Sequence, residues 1–356
     1  MADHRYDVMH FEALGPEASH LEEETGKAIS AGALPPGHSF LMTPLTLQRY
    51  LEAHPGIALP RLVTTKTHSV LPEGFVAEGG QGLITRSAGY DHVEQLAGQL
   101  HVTSLREYCV DAVAQTAMKF MYASAGLLNH YCSNTRRFDR EACQAFLSLG
   151  PSVTATVFGV GKIGKRIYEL ALANGLTVQG VDLRAETLSR SYGDSVRFVS
   201  KDAAIATTDL IINAMNLTRD SANPRHNVDY FSREYLAKAG KKLIFINVTR
   251  GEIAPEAGLL DLYRTGKIMG IGLDVFSREA AFTEVLLGAA TDDPDLVAAA
   301  ALTRMALERT GNVYVQPHQG FNSDIAARTK AAEALKHVVA WFRNDCRHFD
   351  EELPYY

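Results

Sequence analysis

The sequence predicts an α/β protein made of two doubly wound parallel-sheet domains. Three observations point there. The chain has 356 residues, more than one hydrophobic core usually serves. From residue 153 onward, short apolar strands alternate regularly with helical or loop segments. The first hundred residues show the same alternation in a smaller unit, and a final amphipathic helix can return the chain to it. The expected boundaries give a central domain at 104–319 and a second domain built from 1–103 and 320–356. Hinges fall near 102–105 and 319–321.

In the first part, Asp7–Phe11, Arg61–Thr65 and Gly82–Arg86 read as strands and Thr46–Ala53 as a helix, with a break at Pro35–Pro36–Gly37. Tyr108–Leu128 is a long helical stretch, because Val110, Val113, Ala114, Ala117, Met121 and Ala125 recur at helical spacing. Ser133–Arg140 is polar and basic, and reads as a loop. The regular part then runs strand (Val153–Phe158), glycine turn, helix (Ile163–Asn174) and strand (Thr177–Val181). Further strands are expected at Asp209–Asn213, Lys242–Asn247, Ile268–Leu273 and Val313–Gln316. In the last helix, Asn322–Phe342, the stripe is Ile325, Ala332, Leu335, Val339 and Phe342, and Asn322, Ser323 or Asp324 can cap it.

Composition excludes several classes. A net charge of −6 without a Lys/Arg stripe argues against nucleic acid. The longest Ala-rich run, Leu296–Leu302, is far below the ~20 residues that span a bilayer, so no membrane partner is expected. The N-terminal MADHRYDVMHFEAL is charged and broken too early for a secretory leader. Cys109, Cys132, Cys143 and Cys346 lie far apart with no C-x-x-C pair, which predicts reduced thiols, no metal site and a cytoplasmic location.

Gly159-Val160-Gly161-Lys162-Ile163-Gly164 gives G-x-G-x-x-G between an apolar strand and a helix. Gly159 permits the turn, Gly161 lets backbone approach a pyrophosphate, and Gly164 allows close helix–strand packing. The diphosphate would rest on the helix N-terminus, whose N–H groups and dipole favour an anion. Asp182 follows Gly164 by 18 residues at the end of the next strand, where an acid accepts hydrogen bonds from the adenosine ribose hydroxyls. An acid there repels a 2′-phosphate and favours NAD; Arg184, two residues on, is a feature that could accept one.

Three polar residues follow strands in the second half of that sheet: Arg250 after IFINV, Glu279 shortly after GIGL, and His318 after VYVQP. Ligands of open α/β sheets bind beyond the carboxyl ends of the strands, so the three share one crevice. Each alone has a plainer reading, as a carbonyl cap, a solvated loop acid or one of thirteen histidines. Together they supply what hydride transfer to a 2-oxo acid needs. A guanidinium holds the carboxylate, an imidazole gives and takes the proton, and a carboxylate orients that imidazole.

INVTRGEI, GIGLDVFSRE and VQPHQG resemble three signature stretches of the D-isomer-specific 2-hydroxyacid dehydrogenases, in that family's order. ITRSAGYDHVE resembles its substrate loop and YCVDAVAQTA the helix that opens its nucleotide domain; the likeness spans roughly residues 80–345. The resemblance implies a central Rossmann NAD-binding domain and a flavodoxin-like substrate domain. It implies catalytic roles for Arg250, Glu279 and His318. The cofactor set becomes Gly159, Gly161, Lys162, Ile163, Gly164, Asp182, Asn213, Thr249 and Asp274, with Asp274 near the nicotinamide. Ala88 and Gly89 would bind the substrate carboxylate through their backbone. Tyr108 would face the substrate and Phe321 would add an aromatic wall.

Departures are Gln115 and Thr116 where the family usually has Glu and His, Met215-Asn216-Leu217-Thr218 for Pro-Leu-Thr, and the long Ala280–Asn312 segment, read as a lid or interface element. That segment and Tyr108 point to lactate-like or branched acids, and the family's habit to a homodimer. The alternatives are an NAD-sensing regulator or corepressor on the same fold, a formate- or phosphite-type member (the formate type usually has glutamine at the Glu279 position), and a methyltransferase.

Overall fold

The computed structural model describes residues 6–355, which fall into two compact units: one comprising residues up to Cys109 together with Asn322 onward, the other Val110–Phe321. The boundaries lie a few residues beyond the expected hinges at one end and one residue beyond at the other.

The first unit is a five-stranded parallel sheet. In chain order its strands are β1 (Val8–His10), β2 (Phe40–Met42), β3 (Leu62–Thr65), β4 (Gly82–Thr85) and β5 (His101–Ser104), and in space they run β2-β1-β3-β4-β5. That is the flavodoxin-like order, with its switch point between β1 and β3. All of β1, β3 and β4 is buried, as strands covered on both faces must be. One cover is the helix Pro16–Ser30 packed against the last helix, Ala326–Arg343. That last helix buries Ala331, Ala334, Leu335, Val338 and Trp341. It starts four residues later than its amphipathic pattern suggests. None of Asn322, Ser323 and Asp324 caps it; the chain enters through a turn in which Ala326 N donates to Ser323 O at 3.1 Å.

The second unit carries β6 (Thr154–Phe158), β7 (Thr177–Val181), β8 (Leu210–Asn213), β9 (Leu243–Asn247), β10 (Ile268–Leu273) and β11 (Val313–Val315), all parallel, in the order β11-β10-β9-β8-β6-β7. A single parallel bridge between Gly180 and Phe198 extends the sheet beyond β7. With that bridge in the place of one further strand, the order is that of a Rossmann sheet, whose switch point lies between β6 and β8.

One expectation is corrected here, and another is narrowed. Val110–Ala125 is the helix, and Leu127, left-handed at φ 51°, breaks it; a second helix, Leu128–Thr135, then occupies the start of the segment read as a loop. The Ala280–Asn312 segment is mostly two helices, Glu279–Leu286 and Pro294–Glu308. Phe282, Leu296, Ala298, Ala299 and Leu302 from them are buried in the core of their own unit, so much of the segment is a layer of this domain rather than a detachable flap.

Candidate active site

The glycine turn joins β6 to the helix Lys162–Ala173. Gly159 has φ 81°, and a Cβ there would stand 2.7 Å from the Met215 backbone; a Cβ on Gly164 would come within 1.8 Å of Gly159 O. The protein's own packing therefore demands both glycines. Gly161 differs: its φ of −75° suits any residue, and a Cβ would meet only Arg184 Nη2, at 4.0 Å. Nothing among the described residues needs a glycine here, whereas a pyrophosphate lying on the turn would. Asp182 closes the turn from below. One carboxylate oxygen accepts from Val160 N at 2.8 Å, the other from Arg184 N at 2.8 Å and Nε at 3.3 Å. These residues fit a bound dinucleotide. Gly161→Ala is expected to keep the melting temperature within about 2 °C while weakening NADH binding roughly tenfold or more, measured by fluorescence titration. Unchanged affinity would remove Gly161 from the cofactor site.

Two asparagines, Asn213 and Asn247, end the adjacent strands β8 and β9. Asn213 Nδ2 donates to Asn247 Oδ1 at 3.0 Å and to Thr249 Oγ1 at 2.9 Å. Asn247 Nδ2 donates to Arg250 O at 2.9 Å. Asn213 is fully buried, so its amide braces the loop that carries Thr249 and Arg250. Asn247 was missed in the sequence, although IIN and FIN end two neighbouring strands alike. Gly251 fixes the same loop from the other side. A Cβ on it would lie 2.0 Å from Phe276 C and 2.1 Å from Ser277 N, so only glycine lets the Arg250 loop press against the loop after β10.

That second loop carries Glu279. Arg278 is left-handed at φ 50°, which turns the chain sharply just before the helix Glu279–Leu286. Ser277 N is held by Glu256 Oε1 at 2.7 Å. Glu256 is 1% exposed, and burial pushes its carboxyl up to about 7. It is a further residue that the sequence reading passed over; the only signal was an acid at the start of the helix Glu256–Arg264.

His318 Nδ1 lies 2.9 Å from Glu279 Oε2. His318 is itself left-handed, φ 50°, a conformation that a β-carbon disfavours and that needs support from its surroundings. Asp274 provides it. Its carbonyl accepts from His318 N at 2.7 Å, and its buried carboxylate accepts from Gln316 Nε2 at 2.7 Å, Gln319 N at 2.8 Å and Gly320 N at 2.8 Å. The carboxylate of Asp274 is thus engaged by the turn that presents His318.

Burial pushes the Glu279 carboxyl up. The hydrogen bond and charge of His318, the amide of Phe276 and the Arg250 guanidinium outweigh it, and hold the group below the usual carboxylate range. Arg250, Glu279 and His318 therefore lie together at the carboxyl ends of β9, β10 and β11. The other predicted residues, Ala88, Gly89 and Tyr108, belong to the first unit. Ala88 and Gly89 lie in the turn after β4, where Ser87 Oγ donates to Gly89 O at 2.7 Å. Tyr108 follows β5, and its amide is held by Glu333 at 2.7 Å. Phe321 is the last residue of the second unit. Among the described residues, no helix is long and apolar enough to cross a membrane.

A model of the "D-isomer specific 2-hydroxyacid dehydrogenase, NAD binding domain" matches residues 129–320, more than half of the chain. The chain belongs to the D-isomer-specific 2-hydroxyacid dehydrogenase family and carries its NAD-binding domain. It is 26% identical over 202 residues to a glycerate dehydrogenase of Methylorubrum extorquens, covering 54% of this chain and 60% of that protein. A glyoxylate reductase of Pyrococcus horikoshii is 25% identical over 280 residues, 73% of this chain and 72% of that one. Among solved structures, the D-lactate dehydrogenase of Aquifex aeolicus complexed with NAD and lactic acid superposes with a TM-score of 0.72, over 95% of this chain and 96% of that one, at 20% identity. The matched span is thus less than two thirds of the length of the glycerate dehydrogenase.

Proposed function

We propose that the protein is an NAD-dependent dehydrogenase that interconverts a small 2-oxo acid and its D-2-hydroxy acid. The observation that carries this reading is the contact of His318 with Glu279 beside Arg250, on three loops locked together by Gly251, Glu256 and Asp274. The likeness of ITRSAGYDHVE, around the end of β4, to the family's substrate loop supports giving the first unit to the substrate and Val110–Phe321 to the cofactor.

In this reading Arg250 binds the substrate carboxylate through its planar fork. With Nδ1 engaged by Glu279, Nε2 of His318 is the nitrogen that gives its proton to the substrate oxygen during reduction and takes it back during oxidation. Glu279 keeps the ring oriented and favours its charged form. NADH, when bound, supplies the hydride that reduces the carbonyl carbon. Asp274 and Asn213 act by holding the loops. Ala88, Gly89, Tyr108 and Phe321 shape the substrate site, and the enzyme works in the cytoplasm as a homodimer.

Steady-state oxidation of NADH and NADPH with a panel of 2-oxo acids tests this. Asp182 should favour NADH, since losing two charge-assisted bonds to the ribose costs on the order of 2–3 kcal/mol, tens- to hundredfold. Equal efficiency with both cofactors removes the ribose role of Asp182. Tight NADH binding without turnover of any 2-oxo acid would instead make the protein a sensor.

A further inference from the structure

Beyond the last helix the chain runs along β5, the edge strand of the first unit's sheet. Leu353 N donates to Val102 O at 2.8 Å, and Glu352 Oε2 stands 3.0 Å from His101 Nδ1. Leu353 is buried in the same core cluster as Tyr90, Val93, Leu100 and Val102. Two residues further, Tyr355 reaches Ser104, where β5 ends. Ser104 N donates to Tyr355 Oη at 2.7 Å, and the two hydroxyl oxygens lie 2.8 Å apart. The ring of Tyr355 lies beneath the Arg106 guanidinium, 4.1 Å from ring centre to Cζ, and meets the Tyr90 ring edge-to-face at 5.4 Å and 80°.

Covering an edge strand explains the backbone part of this arrangement. Val102 O and Ser104 N would otherwise stand open at the border of the sheet, and the segment supplies a partner for each. It does not explain the aromatic ring, since a serine or threonine hydroxyl would serve Ser104 as well. The ring is spent on the loops that follow β4 and β5. Tyr90 directly follows Ala88 and Gly89, the backbone given above to the substrate carboxylate, and is 6% exposed. Inside that loop, Ser87 Oγ donates to Gly89 O at 2.7 Å, Val93 N donates to Tyr90 O at 3.0 Å, and His92 Nε2 lies 3.0 Å from Thr85 Oγ1. Leu105 N, one residue past Ser104, donates to Ser87 O at 3.1 Å. These bonds give the loop its shape. The Tyr355 ring, fixed by its hydroxyl to the end of β5, gives Tyr90 a wall to stand against, and an edge-to-face pair constrains both distance and tilt.

We infer that Tyr355 is a positioning residue for substrate binding: by holding Tyr90 at the end of β5, it sets the Ala88–Gly89 backbone that receives the substrate carboxylate. This rests on the 2-oxo acid reading above. Tyr355 itself touches neither substrate nor cofactor in this role.

Tyr355→Ala removes the wall, and Tyr355→Phe keeps the ring while losing the hydroxyl. The backbone contact to a carboxylate is made before and during the reaction alike, so its loss should appear in KM. Tyr355→Ala is expected to raise KM for the best 2-oxo acid about tenfold, with kcat within about twofold and the Kd for NADH within about threefold of the wild type. Tyr355→Phe should bring KM back to within about threefold. A rise below about threefold in Tyr355→Ala, or one that Tyr355→Phe shares in full, overturns the inference and leaves the dehydrogenase reading intact. Should the alanine variant not fold, Tyr355→Leu, which fills space without offering a ring to Tyr90, is judged by the same criteria. If the wild type turns over no 2-oxo acid, that reading fails instead, and hydrogen exchange of peptides covering residues 87–93 decides. Exchange about tenfold faster in Tyr355→Ala and near the wild-type rate in Tyr355→Phe supports the positioning role. Equal exchange in Tyr355→Ala and the wild type overturns it.

Discussion

Arg250→Lys is expected to lower kcat/KM for the best 2-oxo acid by a factor on the order of 10²–10³, while the Kd for NADH changes by less than about threefold. The reason is geometric. Arg250 sits on a loop whose position is fixed at both sides, by Asn247 Nδ2 on its carbonyl and by Gly251 against Phe276 and Ser277. Its Nη1 already donates to Thr249 O at 2.9 Å, so the guanidinium has a set orientation before substrate arrives. A planar fork held in this way meets a carboxylate with two parallel hydrogen bonds. Lysine keeps the charge, yet its ammonium is a flexible point donor that cannot reproduce both bonds or the Thr249 contact. Losing that much oriented binding costs about 3–4 kcal/mol in the transition state. The glycine turn and Asp182 are untouched, which is why NADH affinity serves as the internal control. Near-normal kcat/KM in Arg250→Lys would place the carboxylate clamp on another residue.

The sequence displayed some of this plainly and hid the rest for physical reasons. A glycine turn between a strand and a helix is a local pattern, and the strand-end residues Arg250 and His318 could be placed because parallel strands all expose the same edge. Supporting contacts are different. Asp274 reaches Gln316, Gln319 and Gly320, 42 to 46 residues away, and its role depends on a left-handed His318 that no spacing rule announces. Arg86 and Glu17 are 69 residues apart, so their ion pair exists only in the fold. The helix Pro16–Ser30 escaped notice because it buries few positions, Glu17, Leu21 and Thr25, and so has almost no apolar stripe. In the last helix the stripe was visible but the start was not, since a backbone turn does the work that a capping side chain usually does.

If the proposed dehydrogenase reading holds, the pair of Glu279 and His318 is expected to set the pH dependence of the reaction in both directions. Burial works to raise the Glu279 carboxyl, but the His318 contact, the Phe276 amide and Arg250 together hold it below its ordinary range, so it stays ionised through the neutral region. An ionised carboxylate 2.9 Å from Nδ1 favours the protonated ring. Reduction of the oxo acid starts from protonated His318, and its rate falls as rising pH removes that proton. Oxidation of the hydroxy acid starts from neutral His318, and its rate falls as pH drops. Glu279→Gln keeps the size and one acceptor while removing the charge, so protonated His318 loses its stabilising partner. The basic limb of the reduction profile then moves to lower pH, and the acidic limb of the oxidation profile moves the same way. The shift is at most about one unit, because the two side chains are 37% and 44% exposed and water screens the interaction. A ring that is less well held should also lower kcat at the optimum, by roughly tenfold to a hundredfold. Far enough into acid, where the wild-type carboxyl is itself protonated, the two enzymes should converge. The measurement is kcat/KM against pH in both directions, since that ratio reports the groups of the unliganded enzyme. Limbs that stay in place, or that move upward, would separate Glu279 from His318 and leave the histidine without the partner that the geometry gives it.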